Sequence, residues 1–470
     1  MLAGFSPHDA PSDAIVNTCI RCGFCLPTCP TYVLTQDERS SPRGRIGLIG
    51  EVIEGRLGVD DATFRAQMFE CLGCRNCEPV CPSGVAFGAL LEDARAQITQ
   101  ADASSPAGRL RALAYDVLLG NLSTLRLLAI LARWYRITGF QRIVRRSGLL
   151  EVLGIERLER LMPAIENTPF DADGSTWLPS AGRPKGKVAL FCGCVMSVAF
   201  ANVHKATVRV LNVNGWAVEA TRDQGCCGAL HVHAGFKDRA RELARKTIAA
   251  FERSSAQFIV VNAAGCGAQL KEYGHLLKDD PSWAHRAQTF SERVRDFSEL
   301  LASEPLNCED MEGVRARVTY QDACHLAHAQ RITREPRTLI DAIPGVERIE
   351  MPESDRCCGS AGVYNITHPA FAALLGERKL AAAASVGAER IVTTNPGCQM
   401  QLEAEAARIG GLRVQHIAQL LDESYGVAGV TPDATDGARR PSSGGLHVTL
   451  GAIAAVGVAA LLVRSLLRSK

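Results

Sequence analysis

The sequence predicts a multidomain protein of mixed α+β and α/β class, with an α-helical cysteine-rich lobe, a helical connector, two tandem Rossmann-like α/β repeats and a C-terminal apolar helix. Three observations carry this prediction. A four-cysteine pattern occurs in two unchanged copies near the N-terminus, a set of landmarks recurs at a near-constant offset between residues 187 and 421, and an uncharged run lies close to the C-terminus. With 470 residues there is length for several domains with real cores. A net charge of +2 gives no reason to expect a nucleic-acid surface. Balanced hydropathy, with 42 Gly and 21 Pro, excludes a disordered, collagen-like or multi-span membrane chain.

The 18 cysteines are many for a large protein, yet too sparse for a small disulfide scaffold. The first 30 residues lack a basic stretch followed by an apolar core, and Asp9 and Asp13 fall where a signal peptide is hydrophobic. The expected setting is a reducing cytoplasm. There, clustered cysteines are metal ligands more often than disulfides.

The N-terminal element, residues 1–103, is defined by Cys19, Cys22, Cys25 and Cys29 before Pro30, and by Cys71, Cys74, Cys77 and Cys81 before Pro82. Both read C-x2-C-x2-C-x3-C-P. Three cysteines two residues apart wrap one tight loop around a 4Fe-4S cube, and the fourth thiolate points away to serve the other cluster. One cluster is therefore expected on Cys19, Cys22, Cys25 and Cys81, and the other on Cys71, Cys74, Cys77 and Cys29. Four-thiolate zinc sites are the alternative, but zinc knuckles seldom use three consecutive C-x2 steps. Between the motifs, Ile46, Ile49, Val52, Ile53 and Leu57 recur at helical spacing and predict a helix beside the clusters. Gly44, Gly47 and Gly50 lack the following Lys-Ser and preceding strand of a phosphate loop.

The connector, residues 104–186, is rich in Leu and Arg. From Ser104 to Asn167 ten arginines face five acidic residues. Leu110, Leu113, Leu118, Leu119, Leu125, Leu128, Ile130, Trp134 and Ile137 predict two or three amphipathic helices. Their arginines form either a solvated face or a docking surface for a partner or anionic lipid.

Next come the repeats, 187–312 and 313–425. The strand Lys187–Phe191, leading to Cys192 and Cys194, has its counterpart in Arg317–Gln321, leading to Cys324. Cys226-Cys227-Gly228 returns as Cys357-Cys358-Gly359, 131 residues on. The strand Phe258–Val261, running to Gly265-Cys266, returns as Arg390–Thr394, running to Gly397-Cys398. Helical stretches 239–251 and 372–384 precede the last of these strands, so each repeat is expected to form a small parallel sheet. Ligands gather at the carboxyl ends of such strands. Cys194, Cys226, Cys227 and Cys266 are thus expected to converge on a third site, and Cys324, Cys357, Cys358 and Cys398 on a fourth. A redox disulfide or one shared cluster is the competing arrangement. The glycine of each Cys-Cys-Gly turn is expected to let the backbone approach a cluster closely. Cys192 and Cys308 lack counterparts and stay outside the ligand sets. His231, His233, His325, His328 and His368 follow the cysteine-rich turns, as hydrogen-bond donors to a cluster, proton carriers or packing residues. No G-x-G-x-x-G follows a predicted strand, so the chain carries no dinucleotide fingerprint of its own.

A tandem ferredoxin motif followed by two Cys-Cys-Gly repeats resembles the iron-sulfur proteins grouped with the Cys-Cys-Gly component of heterodisulfide reductase, and within them the glycolate oxidase (glycolate dehydrogenase) iron-sulfur subunit family. The stretches Ser41-Pro-Arg-Gly-Arg-Ile, Cys71-Leu-Gly-Cys-Arg-Asn-Cys-Glu, Gly265-Cys-Gly-Ala, Lys271-Glu-Tyr-Gly, Cys357-Cys-Gly-Ser-Ala-Gly, Thr367-His-Pro and Gly397-Cys-Gln carry the likeness, which spans roughly residues 10–425. The resemblance implies an electron-transfer subunit, not catalytic on glycolate alone, that takes electrons from FAD-binding subunits oxidising glycolate to glyoxylate and passes them toward quinone or another membrane acceptor. It implies two 4Fe-4S clusters, with one or two further clusters in the repeats. Equivalent carriers for lactate, glycerol 3-phosphate or a heterodisulfide, and a labile-cluster redox sensor, are the other readings. The wider group ends each repeat in C-x2-C, whereas this chain has Gln269 and Gln401 there. That departure favours a four-thiolate cluster, or loss of one site, over a five-cysteine one.

Residues 426–445 are rich in Gly, Pro, Ser, Thr and Asp and read as a flexible linker. The tail, 446–470, opens with 446–463, free of charge and followed by Arg464, Arg468 and Lys470. As a helix this run spans about 27 Å, close to the hydrocarbon thickness of a bilayer. It is expected to anchor the protein to the inner face of the cell membrane, with a packed or dimerising helix as the alternative.

Overall fold

Helix N-termini in the first hundred residues are written into the sequence as capping residues. Ser12, Ser41 and Asp61 accept the backbone N–H of Ile15, Gly44 and Phe64, and Pro42 occupies the first helical turn. The computed structural model describes residues 4–152, 154–163, 165, 169–179 and 182–426. The expected linker beyond Gly426 and the apolar tail lie outside the described residues.

Among the described residues the N-terminal lobe contains helices and no strand. Helices Pro42–Ile53, Ala62–Glu70 and Phe87–Asp102 bury Ile49, Val52, Phe64, Met68, Leu90, Leu91 and Ile98 in a core of their own. The helix expected to reach Leu57 stops at Ile53, just before Gly55 turns left-handed at φ 74°. Gly44 is held to glycine by close approach, since a Cβ would lie 2.0 Å from Glu38 O. Arg45 is wholly buried and donates to Gln67 O, Thr31 Oγ1 and Ser40 O. The Ser-Pro-Arg-Gly-Arg stretch is thus a capped, arginine-stapled helix start.

The connector breaks into more pieces than expected. Helix Pro106–Ala114 passes into a π-helical turn, Tyr115–Leu119, followed by Leu122–Ile137, Phe140–Arg146, Leu149–Val152 and Glu156–Arg160. Glycines at 139, 148 and 154, each with positive φ, interrupt the apolar periodicity between these pieces.

Among the described residues nine strands form two sheets. The first comprises β1 (Thr176–Trp177), β2 (Gly186–Leu190), β3 (Trp216–Glu219), β4 (Phe258–Val261) and β5 (Val294–Asp296), in the order β1-β3-β2-β4-β5. The second comprises β6 (Ala316–Tyr320), β7 (Val346–Arg348), β8 (Arg390–Thr393) and β9 (Arg413–His416), in the order β7-β6-β8-β9. Every pairing is parallel except β1 on β3. β1 falls within the stretch expected as connector. Val188, Ala189, Leu190, Ile259, Val260 and Val261 are fully buried, as strands covered on both faces require. Each repeat runs outward from its first strand to its second and then back across to its third. That reversal opens a crevice at the carboxyl ends of β2 and β4, and of β6 and β8.

The two repeats dock through the loops after β4 and β8. Ala264 N–H donates to Thr394 O at 3.2 Å, and Gly265 N–H to Asn395 Oδ1 at 3.2 Å. His416 Nε2 donates to Asn262 O at 2.9 Å, while His204, hydrogen-bonded to Cys192 O, sits on the other side of Asn262. Burial pushes both histidines down to about 4 and so keeps them neutral. The unfolded chain protonates them below about 6.5, so their contribution is complete above that pH and is lost as pH falls toward 4, by about 3 kcal/mol each. Buried Asp296, pushed up to about 6, works in the opposite sense and returns about 3 kcal/mol over the same range. These three groups together are expected to contribute a net fall of about 3–4 kcal/mol in stability between pH 7 and pH 4, read in denaturant titrations. Flat stability across that interval would refute the assignment.

Candidate metal centres

The two ferredoxin-type loops adopt one backbone plan. Arg21 and Gly23 in the first, and Gly73 and Arg75 in the second, occupy equivalent positions with φ of 57°, 87°, 64° and 60°. Each loop uses glycine at one left-handed position and arginine at the other. Such alternation turns backbone N–H groups inward, and Gly73 N–H lies 3.4 Å from Cys71 Sγ.

Cys19, Cys22, Cys25 and Cys81 line one pocket, together with Cys77, Arg43 and Phe87. Cys22 is exposed, and Ile20 and Phe24 beside it are 67% and 64% exposed. Cys29 instead lies inside, 3.3 Å from Thr31 Oγ1, and contributes to the electrostatic surroundings of Cys74 and Cys77. Burial pushes the Cys74 and Cys77 thiols up strongly. Cys81 of the second motif thus lies beside the first loop, and Cys29 of the first lies toward the second.

In the first repeat, Cys194 follows β2, Cys226 and Cys227 follow β3, and Cys266 sits in helix Ala264–Lys271 after β4. Cys227 Sγ and Cys266 Sγ are 3.2 Å apart. Cys194 interacts with Cys226, and Cys226 with Cys227, so the four thiols form one chain of contacts. Hydrogen bonding from Cys194 and Cys227 draws the Cys226 thiol down, while that from Cys226 drives Cys194 up. In the second repeat Cys324 contacts Cys357, Cys357 contacts Cys358, and Cys358 contacts Cys398. Gln401, which replaces the last cysteine of the wider pattern, is buried and hydrogen-bonds Asn365 and Ala372 O.

The Cys-Cys-Gly glycines also pack closely against a helix in each repeat. Gly228 and Gly359 are left-handed at φ 83° and 91°. A Cβ on Gly228 would meet Ala240 at 3.3 Å, and one on Gly359 would meet Ala372 O at 2.7 Å. Cys192 is buried in the core with its Sγ 3.4 Å from Gln224 Nε2, and Cys308 is exposed.

One relation between the sites has no sequence signal at all. Leu72 and Cys74 of the N-terminal lobe pack with Cys357, Tyr364, Ala372 and Leu375 of the second repeat, and Cys324 borders the same cluster. His325 Nε2 donates to Gly73 O at 3.0 Å across this junction, and burial pushes its ring down to about 4. Arg95, buried in the N-terminal lobe, donates to Met68 O, Cys71 O and His233 O.

Burial favours the neutral form of Cys194 and Cys227 in the first repeat and of Cys324, Cys357 and Cys358 in the second. An iron-sulfur core would supply positive charge and the soft acceptor that such a donor set matches.

Family comparison matches a 4Fe-4S dicluster domain at residues 15–85, a cysteine-rich domain at 188–271 and again at 318–403, and the linker region of the glycolate oxidase iron-sulfur subunit at 106–162. A "Probable glycolate oxidase iron-sulfur subunit" of Bacillus subtilis (strain 168) is 42% identical over 416 residues, covering 87% of this chain and 94% of that protein. This chain belongs to the glycolate oxidase iron-sulfur subunit family. The glycolate oxidase iron-sulfur subunit of Escherichia coli (strain K12) is 33% identical over 422 residues, covering 88% and 95%. Lactate utilization protein A of Shouchella clausii (strain KSM-K16) is 30% identical over 237 residues, half of this chain. A hypothetical protein from Helicobacter pylori aligns with a TM-score of 0.39 at 11% identity, over 59% of this chain and 54% of that one. As a member of this family the chain is an electron-transfer protein whose cofactors are iron-sulfur clusters.

Proposed function

We propose that the protein is the electron-carrying subunit of a complex in which FAD-binding subunits oxidise glycolate to glyoxylate, and that it delivers the electrons to quinone at the membrane. Family membership supports the reading, and one geometric observation carries it. The cysteine sets form a series, from exposed Cys22 through buried Cys74 to Cys324 and Cys357 of the second repeat. Iron-sulfur clusters, when bound, accept and release electrons one at a time. Cys19, Cys22, Cys25 and Cys81 would hold one, and Cys71, Cys74, Cys77 and Cys29 another. Cys194, Cys226, Cys227 and Cys266 would hold a third, and Cys324, Cys357, Cys358 and Cys398 a fourth. Each set falls within one of the divisions 1–103, 187–312 and 313–425.

Hydride abstraction from a 2-hydroxy acid needs an organic cofactor, which this reading places on the partner subunits. Co-purification from native extract should recover FAD-binding subunits. The isolated chain, purified anaerobically with about 8 to 16 irons on four per cube, should show no glycolate turnover with any acceptor. Turnover without added flavoprotein would overturn the carrier role. Recovery with a lactate-oxidising partner alone would favour the lactate reading instead.

Attachment to the membrane draws support from the connector. Leu127, Ile130, Trp134 and Ile137 form an exposed stripe along helix Leu122–Ile137, continued by Phe140 and Ile143. Arg109, Arg133, Arg142 and Arg146 around it make no ion pair among the described residues. No single described helix is long and apolar enough to cross a membrane, and Pro106–Val117 and Leu122–Ile137 meet at 79°. Such a face lies on an anionic surface rather than spanning it, with each arginine worth about 1 kcal/mol near the headgroups. In flotation with phosphatidylglycerol vesicles, truncation after Tyr425 should weaken binding, and adding Trp134→Glu with Ile137→Glu should abolish it. Undiminished flotation of that doubly altered chain would refute the attachment.

A further inference from the structure

The first repeat contains a buried imidazole that the packing leaves unsatisfied. His231 lies on the short helix Ala229–His233, directly after the Cys226-Cys227-Gly228 turn, and is 0% exposed. Neither Nδ1 nor Nε2 has a hydrogen-bond partner. The other buried histidines do have partners: His204 on Cys192 O, His328 on Asp355 O and His416 on Asn262 O. An unpaired buried donor or acceptor is costly because it gives up its hydrogen bonds to water without replacing them. Tyr115 fixes the ring from the connector side, its own ring 6.0 Å away at an interplanar angle of 67°. Toward the crevice the ring's neighbour is the sulfur of Cys226, itself one of the four cysteines of the site. In the second repeat the position 131 residues on is Gly362, which has no side chain to offer.

We propose that His231 donates one ring N–H to the sulfur ligands of an iron-sulfur cluster held by Cys194, Cys226, Cys227 and Cys266, and so sets that cluster at a higher reduction potential than the cluster of the second repeat. The inference rests on the assignment of a cluster to the first repeat. Reduction adds negative charge to the cluster, and a hydrogen bond to its sulfurs stabilises the reduced form more than the oxidised one. Neither ring nitrogen meets hydrogen-bond geometry among the described residues, so the cluster sulfurs would satisfy an atom that is otherwise orphaned. The two repeats share strand order and cysteine placement, and His231 distinguishes their sites.

The test uses the full-length chain, purified anaerobically, with its clusters followed by electron paramagnetic resonance during a redox titration. The first-repeat signal is the one lost in Cys227→Ser. His231→Leu keeps the volume and removes the donor, and His231→Gln keeps a donor. Expected is a tenfold shift toward the oxidised form at fixed potential in His231→Leu, equivalent to a midpoint lower by about 59 mV for one electron. Iron content should be unchanged, the second-repeat signal unmoved, and the shift smaller in His231→Gln. If the leucine variant loses the cluster while the glutamine variant retains it, the donor role is supported by that rescue. Unmoved midpoints in both variants, or equal shifts or equal cluster loss in both, would overturn the proposal. Absence of any first-repeat signal in the unaltered protein would overturn the cluster assignment together with it, whereas a signal indifferent to His231 would overturn this inference alone.

Discussion

Cys74→Ser is expected to remove about four irons from the anaerobically purified protein and to stop electron delivery to quinone while leaving the other cysteine sites loaded. Among the eight ferredoxin-type cysteines this one has the most consequential surroundings. It is buried and packs directly against Cys357 and Tyr364 of the second repeat, with Cys324 alongside. A serine hydroxyl at this position is a harder, less readily ionised donor than a thiolate. Changes one shell further out already weaken metal sites about 10- to 100-fold, so losing the ligand itself should reduce quinone reduction by about 100-fold or more. Glycolate oxidation by the partner subunits with an artificial acceptor should persist. Cys308→Ser, at an exposed position, and Cys192→Ser, in the core beside Gln224, should leave iron content and electron transfer unchanged. Quinone reduction that survives Cys74→Ser would remove this cysteine from the route.

Arg45→Met should destabilise the N-terminal lobe by about 3–5 kcal/mol, the cost of breaking a buried charged network by removing one partner. The guanidinium donates to Ser40 O at 2.6 Å, Gln67 O at 2.7 Å and Thr31 Oγ1 at 3.1 Å, and lies 3.3 Å from Glu70 Oε1. Ser40 and Thr31 are the residues that surround Cys29. Arg45→Lys should recover little, because a point charge cannot serve acceptors spread around a planar fork. Denaturant unfolding followed by the visible absorbance of the clusters measures the loss, and a change below about 1 kcal/mol would show that water replaces the network.

How much of this was legible beforehand differs from element to element. The strand Phe258–Val261 matches its expected bounds, and the first strands of both repeats begin and end one residue earlier than expected. Short apolar runs with cysteine or glycine at their ends have few alternatives. In the connector, leucine periodicity alone suggested two or three helices, and the glycines at 139, 148 and 154 divided them. His231 was legible as a histidine after a cysteine-rich turn, but its unsatisfied ring was not.

Spacing along the chain determined the ferredoxin-type loops, the twofold repeat, and the placement of cysteines at strand ends, because residues a few positions apart are held by covalent geometry. Tertiary packing alone decided that Cys74 meets Cys324 and Cys357, that Gly228 and Gly359 seat helices, that Cys192 turns into the core, and that Arg45 staples the loop around Cys29. Those outcomes join segments up to some hundreds of residues apart. They depend on which surfaces exclude water together and which buried polar groups find partners, and neither is encoded in the local order of residues.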